Sequence, residues 1–213
     1  MKEVLISIRP EWCELIANET KTVEVRKTKP KLDTPFKCYI YCTKSELLTK
    51  SHYNGKIYVA TSKKYQNSLE HNGNITLSGK VIGEFVCNEI TRIVHCGYDK
   101  ERIELNIVDE NLTIKKLDEG FLSRCQLSYS DIEKYANGGE VYGWNISDLV
   151  LYDEPKDIGE FYKSGMLSYD DWLYGIYNGN GGARSSYESY KERFKLSKAP
   201  QSWCYVEGTV KES

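Results

Sequence analysis

Residues 16–27, IANETKTVEVRK, join the end of a helix to a short strand that carries three charged residues. Upstream, Pro10 suits the first position of a helix that continues to about Ala17, because proline lacks the N–H that a first helical turn leaves unpaired. Asn18 can adopt the left-handed conformation that ends a helix. We therefore expect the helix to end at Asn18 and the chain to resume as a strand at about Lys21.

The charged residues of this strand are candidates for a binding site. In a regular strand Lys21 shares a face with the valines, whereas Glu24 and Arg26 lie on the opposite face, although twist at the strand entrance can bring the Lys21 ammonium toward Glu24. Arg26 can bind a phosphate or carboxylate with two N–H groups, and Glu24 can accept a hydrogen bond from a base edge or accept a proton. The alternative is a solvated Glu24–Arg26 pair, which contributes at most ~1 kcal/mol. Spacing alone leaves both interpretations open.

The composition predicts a water-soluble globular protein. The chain has 213 residues, of which 40% are hydrophobic and 28% charged, enough for one sizeable core or one core with an appended segment. No apolar run approaches the ~20 residues of a membrane helix, and the amino-terminal sequence lacks the features of a signal peptide. Seven scattered cysteines without a C-x-x-C pair indicate reduced thiols. We expect a cytoplasmic protein with no metal site and no cofactor.

The charge is unevenly distributed along the chain. The net charge is −2, but residues 1–64 contain 13 Lys/Arg and 7 Asp/Glu, a net of +6, and the remaining residues carry a net of −8. A basic amino-terminal third indicates a phosphate or nucleic-acid partner on one face. An uneven but otherwise ordinary surface explains the same counts.

Hydrophobic periodicity predicts the architecture. The segments VLISI, FKCYIYCT, KIYVAT and GKVIGEFVCNEI alternate with period two or are continuously apolar, which favours several short strands in a barrel or a strongly curved sheet. Residues 44–78 are polar apart from KIYVA, and we expect them to be partly a loop insertion in a first domain that spans residues 1–155. Residues 156–213 are expected to form a helical and strand-containing C-terminal extension that packs on the barrel.

Two later segments resemble each other as helix starts. LSYSDIEKYANGG begins at Leu127, and LSYDDWLYGIYNGNGG begins at Leu167. In each, a serine, Ser128 or Ser168, precedes an acidic residue by three positions, which is the pattern of a capping box. We predict a helix after each serine.

Two further groups of residues favour nucleic-acid binding. Trp144, in EVYGWNISDL, can stack on a base for ~1–3 kcal/mol, and the alternative is a core tryptophan. The run RKTKPK places Lys27, Lys29 and Lys31 in a segment that Pro30 prevents from being helical. These lysines can follow a phosphate backbone, with an affinity that falls as salt rises. A solvated loop is the alternative.

The segments SIRPEWCELI, KTVEVRK, GKVIGEF and GWNISDL, in this order, resemble the ASCH domain, a PUA-like β-barrel family linked to RNA. The family signature contains G-x-K-x-x-E-x-R, and Lys21, Glu24 and Arg26 fill its charged positions. The resemblance covers residues 1 to about 155 and implies an α+β fold, a PUA-like curved β-barrel with flanking helices. Glu19 stands where the family usually has glycine, and we expect Asn18 to supply the left-handed turn instead.

The resemblance also implies a function. It predicts a pocket that binds RNA or a nucleotide, in which Lys21 and Arg26 hold phosphate, Glu24 reads a base edge and Trp144 stacks on the base. Arg9, close before the helix, is expected to join them. The oligomeric state and the choice between RNA, DNA and a free nucleotide do not follow from the sequence.

Two alternative functions stay open. The first is an enzyme in the same pocket, a hydrolase of a modified nucleoside or a ribonuclease, with Lys21 and Glu24 as catalytic residues. A small branch of the family hydrolyses acetylated cytidine with a lysine, a threonine three residues later and a distant glutamate, but here Glu24 occupies the threonine position. The second alternative is a protein-partner module that uses the acidic C-terminal part.

Overall fold

The protein has an α+β fold, as predicted. The structure, a computed structural model, describes residues 2–53, 56–61, 75–96, 104–108, 113–166, 168–177 and 186–207. The strands are β1 Lys2–Ile8, β2 Val23–Arg26, β3 Phe36–Cys42, β4 Leu48–Tyr53, β5 Lys56–Thr61, β6 Ile75–Thr76, β7 Val81–Cys87, β8 Ile90–Cys96, β9 Glu104–Val108, β10 Ile114–Lys116, β11 Val141–Asn145, β12 Ser147–Lys156 and β13 Trp203–Glu207. The helices are α1 Pro10–Ala17, α2 Glu119–Cys125, α3 Tyr129–Ala136, α4 Tyr169–Tyr177 and α5 Tyr187–Glu192.

Two five-stranded sheets form the body of the fold. Their strand orders are β12-β7-β3-β1-β13 and β10-β9-β8-β11-β2. β7 leads into β8 through Asn88 and Glu89, and β11 leads into β12 past Ile146, so each of these chain segments passes from one sheet to the other. Within the described residues, the sheets curve over a shared core without a strand pair that closes them into a barrel.

Gly143 explains how α2 packs on the second sheet. A Cβ atom at this position would lie 2.7 Å from Cζ of Phe121 on α2 and 3.0 Å from Cγ1 of Val23 on β2. Any larger residue would therefore push α2 or β2 away. The glycine of the predicted GW motif thus determines how closely α2 approaches β2, which carries the charged residues.

Helix α1 begins and ends as its local sequence predicts, but the turn that follows it differs. Pro10 is its first residue, and the N–H groups of Thr20 and Lys21 donate to the carbonyl of Leu15. Asn18, expected to supply the left-handed turn, has φ −93°, and Glu19 adopts φ +56° instead. The prediction for Asn18 was wrong, since the left-handed residue is the one at the family's glycine position.

The part of residues 44–78 that the structure describes contains strands as well as loop. A three-stranded sheet has the order β5-β4-β6. It is attached to α1 by the buried Glu14 carboxylate, which accepts hydrogen bonds from the N–H and the Oγ1 of Thr61, each at 3.0 Å. The remainder of the expected insertion lies outside the described residues.

The C-terminal segment returns to the first strand of the chain. β13 pairs antiparallel with β1, with Cys204 opposite Leu5. Phe161, Leu196 and Val206 are buried in one cluster with residues of β1 and β3. Residues 178–185, before α5, lie outside the described residues.

The two predicted helix caps are both present. The Ser128 side chain accepts a hydrogen bond from the N–H of Asp131, and the Ser168 hydroxyl accepts one from the N–H of Asp171 at 3.1 Å. None of the described helices has the length and apolar character needed to cross a membrane.

Candidate functional site

A cavity of about 620 Å³, here called cavity A, opens beside β2 and contains the predicted charged residues. Its walls come from α1, β2, α3 and the turn before β13. The lining residues are Ser7, Arg9, Trp12, Lys21, Glu24, Val25, Arg26, Thr43, Leu127, Asp131, Tyr135 and Gln201. Three cations and two carboxylates face this space, so the lining has a net positive charge.

Lys21, Glu24 and Arg26 form a buried charge network in cavity A. The Lys21 Nζ lies 3.4 Å from Glu24 Oε2, and Arg26 Nη2 lies 3.0 Å from Glu24 Oε1. The three side chains are only 2%, 8% and 12% exposed. One carboxylate thus holds two cations in place, and the network has one surplus positive charge.

Backbone carbonyls complete the surroundings of the two cations. Lys21 Nζ donates to the carbonyl of Cys125 at 2.6 Å and lies 4.9 Å from the centroid of the Trp12 ring. Arg26 Nη2 donates to the carbonyl of Ser7 at 2.6 Å. The Arg26 Nε atom is buried and has no hydrogen-bond partner. An unpaired buried donor is uncommon and costs free energy, and because this atom is buried an acceptor reaches it only if the surrounding side chains move.

The position of Lys21 corrects one prediction and supports the convergence of the three charges. Strand β2 begins at Val23, so Lys21 belongs to the turn after α1 and the period-two rule does not apply to it. The N–H of Thr22 donates to the carbonyl of Arg124, which holds this turn against α2. The Lys21 side chain therefore points toward Glu24 and Cys125 and does not share a face with the valines.

The rim of cavity A is more exposed and includes residues that the sequence did not single out. Arg9 is 63% exposed and pairs with Glu11 at 3.1 Å. Tyr135 on α3 is 39% exposed, and Lys27 Nζ lies 5.2 Å from the centroid of its ring. Tyr135 lies on a helix that the sequence predicts. The chain contains seventeen tyrosines, so the sequence did not mark this one as a site residue. Asp131 also lines the cavity, in addition to forming the α3 capping box with Ser128.

Comparison with solved structures returns ASCH proteins. No protein-family model matches the chain, and no curated protein matches it. The chain is similar in fold to ASCH structures. Two single-residue variants of an ASCH protein from Zymomonas mobilis match with 17% and 16% identity and TM-scores of 0.44 and 0.46, covering 98% and 97% of this chain and 93% and 89% of theirs. The unsubstituted ASCH protein matches with 15% identity and a TM-score of 0.41, covering 96% of this chain and 87% of that chain.

Trp144, which the ASCH resemblance placed in the pocket, lies in the core. It is 0% exposed and packs against Phe36 and Trp203, each with ring centroids 6.0 Å away. Trp144 is the strand partner of Glu24, but its indole fills the space between the sheets. A buried ring cannot stack on a base, so the stacking role predicted for Trp144 was wrong. Trp12 and Tyr135 are the aromatic residues at cavity A.

The lysines beyond the ASCH-like motif lie in an exposed loop between β2 and β3. Lys27, Lys29 and Lys31 are all exposed, and Lys29 Nζ lies 5.8 Å from the centroid of the Tyr142 ring. These positions leave the ammonium groups accessible to a phosphate backbone.

Cys125, whose carbonyl binds Lys21, is not a reactive thiol in this structure. Burial raises the pKa of the Cys125 thiol, and the nearby Lys21 ammonium opposes that rise only in part. The thiol is therefore protonated at neutral pH. Within the described residues, no three His, Cys, Asp or Glu side chains are placed to hold a metal ion.

Proposed function

We propose that this protein binds single-stranded RNA and seats one nucleotide in cavity A. The observation that carries the proposal is the net positive lining of an open cavity, on whose wall Lys21, Glu24 and Arg26 are held in one charge network. A phosphate or base oxygen bound in this space would meet the surplus positive charge of that network.

Each charged residue takes a separate part in this proposal. Arg26 supplies positive charge to the phosphate while its Nη2 stays with Glu24 and Ser7. Glu24 chiefly orients Arg26, because both of its oxygens already contact a cation, and its remaining lone pairs face a base edge. Lys21 anchors Glu24. Arg9, at the rim, meets the phosphate in solvent.

Stacking is assigned to the aromatic residues that line the cavity. Tyr135 has an exposed ring, and Trp12 is partly exposed. Base–aromatic stacking contributes ~1–3 kcal/mol per base and tolerates different bases. Single-stranded RNA fits this arrangement because its bases are free to turn out of a helix.

Binding is favoured over catalysis by the surroundings of Lys21. A lysine that acts as nucleophile or base must present its nitrogen to the substrate. Here the Nζ donates to a carbonyl at 2.6 Å, lies 3.4 Å from a carboxylate oxygen and faces an indole ring, so three groups of the protein already surround it. The hydrolase and ribonuclease alternatives would need this network to open.

The proposal is tested by fluorescence anisotropy with labelled single-stranded RNA of randomised sequence. We expect Arg9→Ala to weaken binding about fivefold at low salt and to lower the salt slope by ~0.7, because one phosphate contact is lost. Tyr135→Ala should weaken binding about tenfold through lost stacking.

Arg193→Ala is the matched control for Arg9→Ala. Arg193 is exposed and does not line cavity A. No binding by the wild-type protein in 50 mM salt, or an equal loss with the Arg9 and Arg193 variants, would contradict the proposal. Shortened RNA products after incubation with the wild-type protein would favour the ribonuclease alternative.

A further inference from the structure

A second cavity lies beside the segment that leads into β13. Cavity B, of about 560 Å³, is lined by Lys2, Lys163, Ser164, Leu196, Ser197, Lys198, Ala199, Pro200, Cys204 and Tyr205. Its three lysines are exposed, and none of its lining residues is acidic. The composition of this lining suits a polyanion.

The basic loop after β2 connects the two cavities. The loop starts after Arg26, which lines cavity A. Further along the loop, Thr28 Oγ1 accepts a hydrogen bond from Trp203 Nε1 at 3.0 Å. The N–H of Lys31 donates to the hydroxyl of Tyr205 at 2.6 Å, and Tyr205 lines cavity B. The loop is therefore held along β13, with one end in cavity A and the other beside cavity B.

The length of the loop sets an upper limit on this connection. Residues 26–31 span at most about 18 Å at ~3.6 Å per residue. Stacked nucleotides rise ~3.4 Å each along a strand, so this path accommodates no more than roughly five of them. Three exposed lysines of the loop, Lys27, Lys29 and Lys31, lie along it.

We propose that cavity B is a second phosphate-binding subsite for the same RNA strand that enters cavity A. The strand follows the loop from Arg26 to Lys31 and ends against Lys2, Lys163 and Lys198, with Tyr205 as an aromatic surface beside them. The inference rests on the proposed function of cavity A and adds that the ligand is an oligonucleotide that spans both cavities. A mononucleotide would occupy cavity A alone.

The test compares two RNA lengths. A pool of randomised 12-nucleotide RNA reaches both cavities, whereas a pool of dinucleotides occupies only cavity A. We expect the triple variant Lys2→Ala, Lys163→Ala, Lys198→Ala to weaken 12-nucleotide binding roughly tenfold and to lower its salt slope by ~2, at ~0.7 per lost phosphate contact. Dinucleotide binding, measured by calorimetry at low salt, should stay within twofold of wild type.

The control variant removes three lysines, and so the same amount of charge, from positions outside both cavities. Lys80, Lys115 and Lys116 line neither cavity, and their triple alanine variant should leave the 12-nucleotide salt slope unchanged. Each single variant in cavity B should show about one third of the slope change, which keeps the test decisive if a triple variant folds poorly.

The outcomes separate the inference from the proposed function. If the wild type binds 12-nucleotide RNA and the cavity B variant binds it with an unchanged slope, the inference is overturned and the function of cavity A stands. Equal losses for the cavity B variant and the control variant also overturn it, because they show a general charge effect. If the wild type binds neither RNA length, the proposed function fails and the inference fails with it.

Discussion

Lys21 and Glu24 are the residues whose environment the sequence predicts least well, because charged side chains on a short segment usually face solvent. Both are buried, and each depends on the other: Glu24 forms ion pairs with two cations, and Lys21 also donates a hydrogen bond to the Cys125 carbonyl. A buried charge is tolerated only when it is paired and hydrogen-bonded. This network therefore contributes to folding as well as to the shape of cavity A.

Replacing Lys21 should be strongly destabilising. Substitutions of surface residues usually change stability by no more than ~0.5 kcal/mol, but the Lys21 side chain is only 2% exposed and is not a surface residue. We expect Lys21→Met to lower the free energy of unfolding by about 3 kcal/mol, because it leaves the Glu24 charge and the Cys125 carbonyl partly unpaired. Urea denaturation of the variant and the wild type measures this change in the free energy of unfolding.

Arg9→Met provides the comparison for that measurement. Arg9 also lines cavity A but is 63% exposed, and its replacement should change the free energy of unfolding by no more than ~0.5 kcal/mol. A Lys21→Met protein as stable as Arg9→Met would show that the buried network contributes nothing to folding.

At the scale of elements, the turn between α1 and β2 decides where the charged network sits. Thr20 and Lys21 both donate to the carbonyl of Leu15, and Glu19 has the left-handed φ of +56°. A residue with a Cβ atom in this conformation is strained by roughly 1 kcal/mol. In this conformation Glu19 ends α1 and directs the following residue pair so that Lys21 points toward β2.

Glycine at position 19 should relieve the strain. We expect Glu19→Gly to raise the free energy of unfolding by about 0.5 kcal/mol, since the glutamate side chain is exposed and the relief of strain exceeds the added entropy of the unfolded chain. Thr20→Gly, one residue later, should instead lose about 1 kcal/mol, because Thr20 lacks a positive φ and its Oγ1 donates to the Leu15 carbonyl at 3.0 Å. Thermal and urea unfolding of the two variants would show opposite shifts, and shifts of the same sign would contradict the strain argument.

For the whole molecule, the pairing of β13 with β1 joins the two distant parts of the chain in one sheet. Ser7 Oγ donates to the carbonyl of Pro200 at 2.6 Å, and Gln201 lines cavity A together with Ser7. The C-terminal segment thus contributes to the main core, to the wall of cavity A and to cavity B. We propose that residues 156–213 unfold together with the rest of the protein.

This proposal predicts one cooperative transition. Val206 on β13 is 0% exposed, and Val206→Ala should lower the free energy of unfolding by about 2 kcal/mol through lost burial and the cavity left behind. Tryptophan fluorescence and far-ultraviolet circular dichroism should report the same urea midpoint. Val150→Ala, at a valine that is 51% exposed, should shift that midpoint little. Separate midpoints for the two probes would mean that the C-terminal segment unfolds on its own.

The sequence by itself determined the features that depend on neighbouring residues. Pro10 at the start of α1 and Ser128 at the cap of α3 act through hydrogen bonds within one helical turn, so their patterns predict them directly. Period-two segments predicted several short strands in the same way, whereas the α+β class was implied by the resemblance to the ASCH domain. Glu24 and Arg26 were found because they lie on one face of a four-residue strand.

Only the tertiary structure decided which of these residues are buried and what they meet. Trp144 is a core residue because Phe36 and Trp203 pack against it, and these three lie far apart in the chain. Lys21 turns toward Glu24 because α2, a hundred residues later, offers it the Cys125 carbonyl. Burial depends on contacts between segments that are distant in sequence, and local patterns hold no information about the partner that will cover a given side chain.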